Sequence, residues 1–210
     1  MDVPIVAADG AANKLHAHNI IPTYIVGDGD SVQQLTKNNS NNITTTNVII
    51  DDQNSTDFEK CILFAKDAGL FPALVLGING GEIDHILGNI QAFLKHADNL
   101  NLYFLDTYAI GTAKENIFGI KLGVPLTSKK LTINMRKKSI ISIIPTHSVK
   151  IQSDGLFWEL NNHQFTVNGV LGIRNFNKNN VVTFDILHGK AVLIADVSET
   201  FVDLTNARFL

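Results

Sequence analysis

Cysteine is almost absent from this sequence, and its scarcity limits where the protein can work. Cys61 is the single cysteine in 210 residues, so no intrachain disulfide can form and a reducing compartment fits. Apolar runs that approach the roughly 20 residues of a membrane helix are also missing. The N-terminus lacks the basic and then apolar pattern of a signal peptide. These absences predict a cytoplasmic protein that has no membrane partner.

Positive charge is scarce as well. The 17 Lys and Arg residues are outnumbered by 20 Asp and Glu residues, and the formal net charge of -3 leaves no basic footprint for nucleic acid. Arginine occurs only as Arg136, Arg174 and Arg208. Because the planar guanidinium is a favoured partner of phosphate in proteins, a phosphate site in this chain is expected to depend largely on other groups.

Acidic residues stand where short apolar runs end. They are Asp9, Asp28, Asp30, Asp57 and Asp84. Alone, Asp28 and Asp30 would more often be turn formers or helix caps. In an open α/β sheet, however, these positions are the carboxyl ends of strands, where ligands bind. Clustered carboxylates repel one another unless a cation lies among them, and oxygen ligands near a phosphate favour Mg²⁺.

Strands and helices alternate through the first half of the chain, which predicts a mostly parallel sheet flanked by helices. One helix begins with the capping spacing of Thr56 and Glu59. Another repeats apolar residues every three or four positions, and this pattern predicts that they form its buried face. These residues are Ile83, Ile86, Leu87, Ile90 and Leu94. The first half is therefore predicted to be an α/β domain.

The helical periodicity ends after about residue 112, where short apolar runs begin to alternate with turn residues. This pattern predicts an antiparallel β-sandwich, in which Leu187–Lys190 forms a hairpin between two strands. The predicted domains are residues 1–112, α/β, and residues 113–210, β-sandwich. Exposed edges or faces of the second domain favour pairing with another copy, so a homodimer is expected.

Segments in both halves match the motifs of one known family. In chain order they are Ala8–Leu15, Gly27–Ser31, Asp52–Lys60, Asp84–Asn89, Gly155–Trp158 and Gly172–Asn175. With these segments the chain resembles the thiamine pyrophosphokinases over nearly its whole length. A single Asp-x-Asp is a weak motif, whereas ordered matches across a change of fold class are specific.

The resemblance implies an enzyme that transfers the pyrophosphoryl group of ATP to the thiamine hydroxyl, giving thiamine diphosphate and AMP. It implies that the first domain binds ATP and Mg²⁺ and carries catalysis. It also implies that the second domain binds thiamine and mediates dimerisation, with the active site between subunits. The expected cofactor is Mg²⁺, and the expected partners are ATP, thiamine and a second copy of the chain.

The family motifs also imply roles for individual residues. The implied Mg²⁺ ligands are Asp28, Asp30 and Asp57. The residues implied around the ATP phosphates are Asp9, Gln53 and Thr56. The residues implied to be catalytic are Asp57, Asp84 and Lys60. Either Asp57 or Asp84 could be the base that accepts the hydroxyl proton.

The implied thiamine-side residues are Asn175, Arg174 and Trp158. Asn175 would contact thiamine, and Trp158 would form an aromatic wall near the cationic thiazolium, where an aromatic face is favourable. A place for Trp158 in the sandwich core is an equally ordinary interpretation.

The chain departs from the family pattern at several positions. Glu82 stands where the family commonly has arginine, and Arg174 stands where it usually has a serine-like residue. We hypothesise that these two departures are coupled, with Arg174 pairing Glu82 or supplying the missing positive charge. Ala11 replaces a usual glycine, and the family normally has another strand before the Asp9 segment.

Two further functions fit the same sequence. A catalytically impaired member of the family could bind thiamine or a nucleotide as a sensor, which the departures at Glu82 and Ala11 favour. A pyrophosphokinase or kinase could instead act on another small alcohol.

Overall fold

The computed structural model describes residues 3–29, 45–97, 100–110, 117–127, 130–170 and 172–197. The chain divides into two compact units. Unit 1 comprises Met1–Pro72 and Gly81–His96, and unit 2 comprises Ala73–Gly80 and Ala97–Leu210. Within the described ranges, no helix has both the length and the apolar character that crossing a membrane requires.

The described elements alternate at first between strand and helix and then become entirely β. In chain order they are β1 (Val6–Ala8), α1 (Asp9–Ala17), β2 (Tyr24–Gly27), β3 (Thr46–Ile49), α2 (Asp57–Asp67), β4 (Ala73–Leu76), α3 (Ile83–His96), β5 (Leu102–Ile110), β6 (Ile117–Leu126), β7 (Leu131–Asn134), β8 (Ile140–Asp154), β9 (His163–Thr166), β10 (Gly172–Phe176) and β11 (Val181–Asp196). The predicted mixed α/β class is confirmed.

Unit 1 contains a parallel sheet of three strands in the order β1-β2-β3. The helix α2 packs on it because its apolar residues fall on one face. The Cys61 and Ile62 side chains of α2 are buried, and the Phe64 ring lies 4.9 Å from the ring of Tyr24 in β2. The helix begins as predicted, since Thr56 Oγ1 accepts a hydrogen bond of 3.2 Å from the Glu59 N–H.

The predicted buried face of α3 is wrong at three of its positions. Ile83, Leu87 and Ile90 are exposed, whereas Ala92 and Phe93 are buried. Apolar spacing identifies a stripe on a helix but not the neighbour that covers it, and here the C-terminal half of the helix supplies the buried side chains.

A buried carboxylate fixes the C-terminal end of α3 to α2. Glu59 Oε1 accepts hydrogen bonds from Lys95 Nζ at 2.7 Å and from His96 Nε2 at 2.8 Å. The hydrogen bond from Lys95, followed by that from His96, holds the pKa of Glu59 below its usual value although burial opposes the charge.

Unit 2 contains a mixed sheet of eight strands in the order β10-β8-β11-β6-β5-β4, with β7 paired to β11 and β9 paired to β8. The strand β4 is parallel to β5, and the remaining pairs are antiparallel. The parallel pairing of β4 with β5 agrees with the sequence-based expectation. These two strands nevertheless belong to the larger mixed sheet rather than to the sheet of β1–β3.

The predicted hairpin at residues 187–190 is wrong, because β11 continues through it. The pairing of β11 with β8 shifts register between Ile186 and His188 and again between Gly189 and Ala191. Gly189 has φ +82, and a Cβ there would lie 1.9 Å from the Ser148 carbonyl oxygen. The glycine therefore bends a continuous strand where the sequence pattern suggested a reversal.

The apolar core of unit 2 draws side chains from β6, β7, β8, β9 and β11, among them Leu126, Ile133, Ile151 and Phe184. Beside it, two rings of β5 lie over glycines of β6. Phe104 is opposite Gly123 and Tyr108 is opposite Gly119. A Cβ would lie 1.9 Å from the Phe104 ring at the first position and 2.3 Å from the Tyr108 ring at the second.

Candidate active site

Three carboxylates converge at one end of the parallel sheet of unit 1. Asp9 follows β1, Asp28 follows β2, and Asp57 is the first residue of α2. Each offers an oxygen, and the three oxygens lie within 4.8 Å of one another. Because β1, β2 and β3 are parallel, their carboxyl ends meet at the same edge of the sheet. Asp30, the remaining predicted metal ligand, lies outside the described residues.

Asp9 is the most enclosed of the three, with 2% of its surface exposed. Its carboxylate accepts hydrogen bonds from the N–H groups of Gly10, at 2.6 Å, and of Gly29, at 3.3 Å. Its position depends on Gly27, where a Cβ would lie 2.6 Å from Asp9 Cγ and Oδ2. Burial, followed by the charge of Asp57, raises the pKa of Asp9 above its usual value.

Lys60 forms an ion pair with one carboxylate of this cluster, that of Asp57. Its side chain is 3% exposed, and its Nζ lies 3.0 Å from Asp57 Oδ1. The hydrogen bond to Asp57, supported by the charges of Asp28 and Asp52, raises the pKa of Lys60 although burial opposes it. Lys60 is therefore not a solvated surface lysine, because its side chain is buried against a carboxylate.

The segment between β3 and α2 forms a turn around Asp52. Its carboxylate accepts hydrogen bonds from Ser55 Oγ at 2.6 Å and from the Asn54 N–H at 3.0 Å, which together lower the pKa of Asp52. Gln53 is exposed in this turn, and Thr56, also exposed, caps α2. The turn therefore presents two of the predicted ATP-side residues beside the N-terminus of α2, where backbone N–H groups favour an anion.

Asp84 lies in the first turn of α3 and is exposed. Its Oδ1 accepts a hydrogen bond of 2.8 Å from the His85 N–H. One helical turn further on, a Cβ at Gly88 would lie 3.9 Å from Thr56 Cγ2, so α3 passes beside the start of α2. Asp84 is not part of the three-carboxylate cluster found among the described residues.

The predicted thiamine-side residues belong to unit 2, where two of them are in direct contact. Asn175 Oδ1 accepts a hydrogen bond of 3.2 Å from the Trp158 N–H, and Asn175 Nδ2 donates one of 2.8 Å to the Trp158 carbonyl. Trp158 is 57% exposed, so it is not a core residue of the β-rich unit. The structure thus assigns Asn175 a part in holding Trp158, in addition to the predicted contact with thiamine.

Arg174 has φ 61, and its backbone N–H donates to Ser142 Oγ at 3.1 Å. Its side chain is exposed. Glu82, the other departure from the family pattern, is exposed in unit 1. The proposed coupling of these two residues stays a prediction.

The carboxylate cluster suits a small divalent cation. Oxygen ligands lie about 2.1 Å from Mg²⁺, so two ligands on opposite sides of the ion are about 4 Å apart, close to the 4.8 Å spread of the three oxygens. Hard oxygen donors favour Mg²⁺ or a similar ion over softer metals. Among the described residues Asp9 joins Asp28 and Asp57 in the cluster, and its position immediately after β1 was the sequence signal for this. The expected contact of Asp9 with the ATP phosphates stays a prediction.

Comparisons with known proteins agree with these observations. A family model described as the thiamin pyrophosphokinase catalytic domain matches residues 3–104. Thiamine pyrophosphokinase 1 of Arabidopsis thaliana is 25% identical over 205 residues, covering 85% of this chain and 72% of that protein. Thiamine pyrophosphokinase 3 of Oryza sativa subsp. japonica is 32% identical over 110 residues, covering 41% of this chain and 40% of that protein.

Solved structures share the fold. The thiamine pyrophosphokinase of Bacillus subtilis superposes with a TM-score of 0.68 at 20% identity, covering 93% of this chain and 89% of that chain. The enzyme of that name from Candida albicans gives a TM-score of 0.70 at 17% identity, with 92% and 81% covered. In its catalytic-domain match, its relatives and its fold, the chain is similar to the thiamine pyrophosphokinases.

Proposed function

We propose that this protein is an ATP-dependent thiamine diphosphokinase. The observation that carries the proposal is the convergence of Asp9, Asp28 and Asp57 beside the buried Lys60, within the segment that matches the family's catalytic domain. Such a site suits phosphoryl chemistry because it can hold a cation and a lysine against the negative charge of a nucleotide.

Asp9, Asp28 and Asp57 would hold the divalent cation, and Mg²⁺ is the ion proposed. Asp30 stays a predicted ligand. When bound, the ion supplies positive charge that neutralises the triphosphate. The protein's own contribution is to keep three carboxylates close together, which requires the hydrogen bonds from Gly10 and Gly29 to Asp9.

The reaction forms a bond between the thiamine hydroxyl oxygen and the β-phosphorus of ATP, and it breaks the bond from that phosphorus to the oxygen shared with the α-phosphate. AMP leaves with the electron pair. Lys60 is proposed to offset the charge that grows on the phosphate oxygens. Gln53 and Thr56 are proposed to contact the nucleotide phosphates from the turn beside α2.

The hydroxyl proton must pass to a base. We favour Asp84 over Asp57, because the Asp57 carboxylate is already paired with Lys60 and belongs to the cation cluster. Asp84 is exposed at the start of α3, the helix that passes beside Thr56. Its Oδ1 accepts a hydrogen bond from the His85 N–H, and its second oxygen is proposed to receive the proton.

The acceptor side is proposed to lie in unit 2. Trp158 would present its ring to the cationic thiazolium, with Asn175 holding its backbone and Arg174 nearby in sequence. The antiparallel strands that form the apolar core of unit 2 are proposed to be the predicted β-sandwich domain. A homodimer, an active site between subunits, the functional division at about residue 112 and a cytoplasmic location all remain predictions.

The decisive experiment is to incubate the purified protein with ATP, thiamine and Mg²⁺ and to measure AMP and thiamine diphosphate. Asp28→Asn is expected to lower kcat by about 100-fold or more, since loss of one preorganised charge interaction commonly has that effect. Product formation that does not depend on a divalent cation, or on Asp28, would contradict the proposed site.

The same preparation separates the alternatives. Tight binding of thiamine or a nucleotide by calorimetry without product would favour the sensor function. Consumption of ATP with a different small alcohol, but not with thiamine, would favour a kinase of another acceptor.

A further inference from the structure

An exposed aromatic surface in unit 2 is built on a short segment, the aromatic loop (residues 155–160). Phe157 and Trp158 of this loop are 55% and 57% exposed. The Phe157 ring stacks on Phe176 at 4.6 Å, and the Trp158 ring meets Phe176 edge-on at 5.3 Å. We call these three residues the aromatic platform. So much exposed aromatic surface at one place is typical of a binding site.

The aromatic loop is attached to β10 on one side. The Phe157 N–H donates to the Phe176 carbonyl at 2.8 Å, and both backbone groups of Trp158 are bonded to the Asn175 side chain. Beneath the loop, Leu156 is fully buried. These contacts fix the middle of the loop but leave its two ends to be held by other groups.

The Glu159 side chain bonds to the residues at which the aromatic loop begins. Its Oε2 accepts a hydrogen bond of 2.7 Å from Ser153 Oγ, and its Oε1 accepts one of 2.9 Å from the Gly155 N–H. Lys178 Nζ lies 2.7 Å from the same Oε1. Ser153 Oγ in turn accepts the Leu160 N–H at 2.8 Å, so one carboxylate connects both ends of the loop.

The chemistry of this arrangement requires a carboxylate. An ionised glutamate accepts several hydrogen bonds through two oxygens and donates none, and bonds to a charged acceptor are stronger than neutral ones. Burial opposes the charge of Glu159, yet the hydrogen bonds from Lys178, Ser153 and Gly155 outweigh it, so its pKa is lower than usual. The carboxylate therefore stays ionised and the contacts stay formed near neutral pH.

We infer that Glu159 is a positioning residue for the acceptor alcohol, because it holds the aromatic platform in the orientation that receives a flat, cationic ring. The inference rests on the proposed function. A platform that is ordered before the ligand arrives loses less conformational entropy on binding. The polar contacts of Glu159 are with Ser153, Gly155 and Lys178, so it should act through the loop that carries Trp158 and affect acceptor binding selectively.

The test compares Glu159→Ala with wild type and with a matched control, Asp154→Ala. Asp154 is exposed, carries the same charge and lies at the end of β8 immediately before the loop. We expect Glu159→Ala to raise KM for thiamine about tenfold, as for a loosened binding group, and to leave KM for ATP unchanged. Asp154→Ala should change neither constant, which excludes a general charge effect on the cationic acceptor.

A second readout needs no catalysis. Trp158 is the only tryptophan in the chain, so its fluorescence anisotropy reports the order of the aromatic loop directly. Glu159→Ala should lower this anisotropy, and Asp154→Ala should not. If Glu159→Ala fails to fold, the milder Glu159→Gln, which keeps the side-chain shape but loses the charge, should give a smaller change in the same direction.

The outcomes distinguish the inference from the function on which it rests. An inactive wild type would overturn the proposed function, while unchanged Trp158 anisotropy in the Glu159 variants would overturn the positioning role by itself. In an active wild type, an unchanged KM for thiamine in Glu159→Ala, with or without a change in anisotropy, would also overturn it. A selective rise in that KM together with lowered anisotropy would support it.

Discussion

At the scale of single residues, Gly27 determines whether Asp9 can join the carboxylate cluster. In Gly27→Ala the new Cβ would lie 2.6 Å from Asp9 Cγ, so the carboxylate has to move. We expect weaker Mn²⁺ binding by calorimetry and a loss of activity of about 100-fold, the effect of misplacing a site group by about 1 Å.

Gly10→Ala is the matched control for this substitution. Apart from its chain neighbours and the backbone of α1, a Cβ there would meet nothing within 4 Å, and Gly10 lies in α1, where alanine is favoured by about 0.5–1 kcal/mol. Gly10→Ala should therefore be slightly more stable and fully active. Wild-type metal affinity in Gly27→Ala would show that Asp9 is not held by this close approach.

Most of the residues of the carboxylate cluster could be predicted from sequence, because Asp9 and Asp28 follow strands, Asp57 begins the helix after a third strand, and parallel strands end at one edge. Asp28 and Asp57 converge as expected, and Asp9 joins them as a third member. The proposed role of Glu159 could not be predicted, since no short motif identifies Ser153 and Lys178 as its partners.

At the scale of elements, the start of α2 has two predicted tasks that a pair of variants can separate. Thr56→Ala removes the cap of α2 and should lower the free energy of unfolding by about 1 kcal/mol in urea titrations. If Thr56 also contacts the nucleotide, KM for ATP should rise in the same variant. Thr56→Ser keeps the hydroxyl and should restore both quantities; restoration of neither would show that the methyl group matters instead.

The aromatic loop should respond to acid in a defined pH range. The pKa of Glu159 is lowered from its usual 4.5, so its stabilising effect is complete above 4.5 and disappears as the pH falls through the lowered value. Trp158 anisotropy should stay constant down to pH 4.5 and decrease only below it. Removing one partner in Lys178→Met should move this decrease towards 4.5, and a decrease that begins above 4.5 in wild type would contradict the assignment.

Element types followed from periodicity, but their partners did not. The helix α3 was predicted correctly as a helix. Which of its faces is exposed was not predicted correctly, because sequence spacing does not identify the part of the protein that packs against a helix. Likewise β4 and β5 were predicted as parallel strands, whereas their membership of a mixed sheet depends on β6, a strand from the other half of the chain.

At the scale of the whole molecule, each compact unit contains one natural probe. Cys61 is the only cysteine and lies in unit 1, and Trp158 is the only tryptophan and lies in unit 2. Burial first, then Asp57 and Asp9, raises the pKa of Cys61 to about 12, so its thiol should react slowly with disulfide reagents until unit 1 opens.

We expect Cys61 to become reactive at a lower urea concentration than the one that changes Trp158 fluorescence. Alanines such as Ala7, Ala12 and Ala65 contribute much of the buried apolar set of unit 1, whereas the core of unit 2 contains many larger side chains. MgATP should raise the urea concentration needed for Cys61 labelling by mass action and affect Trp158 less. Coincident transitions that shift equally would instead show a single cooperative unit.

The two glycines of β6 that lie under the rings of β5 fix the register between these two strands. If β6 slid along β5 by one or two residues in either direction, Phe104 and Tyr108 would lie opposite side chains instead of opposite glycines. The alignment of these strands is thus encoded by two missing Cβ atoms. The strand β5 pairs in parallel with β4 and antiparallel with β6. Fixing the register of β5 against β6 therefore also fixes how the parallel and antiparallel parts of the sheet are joined.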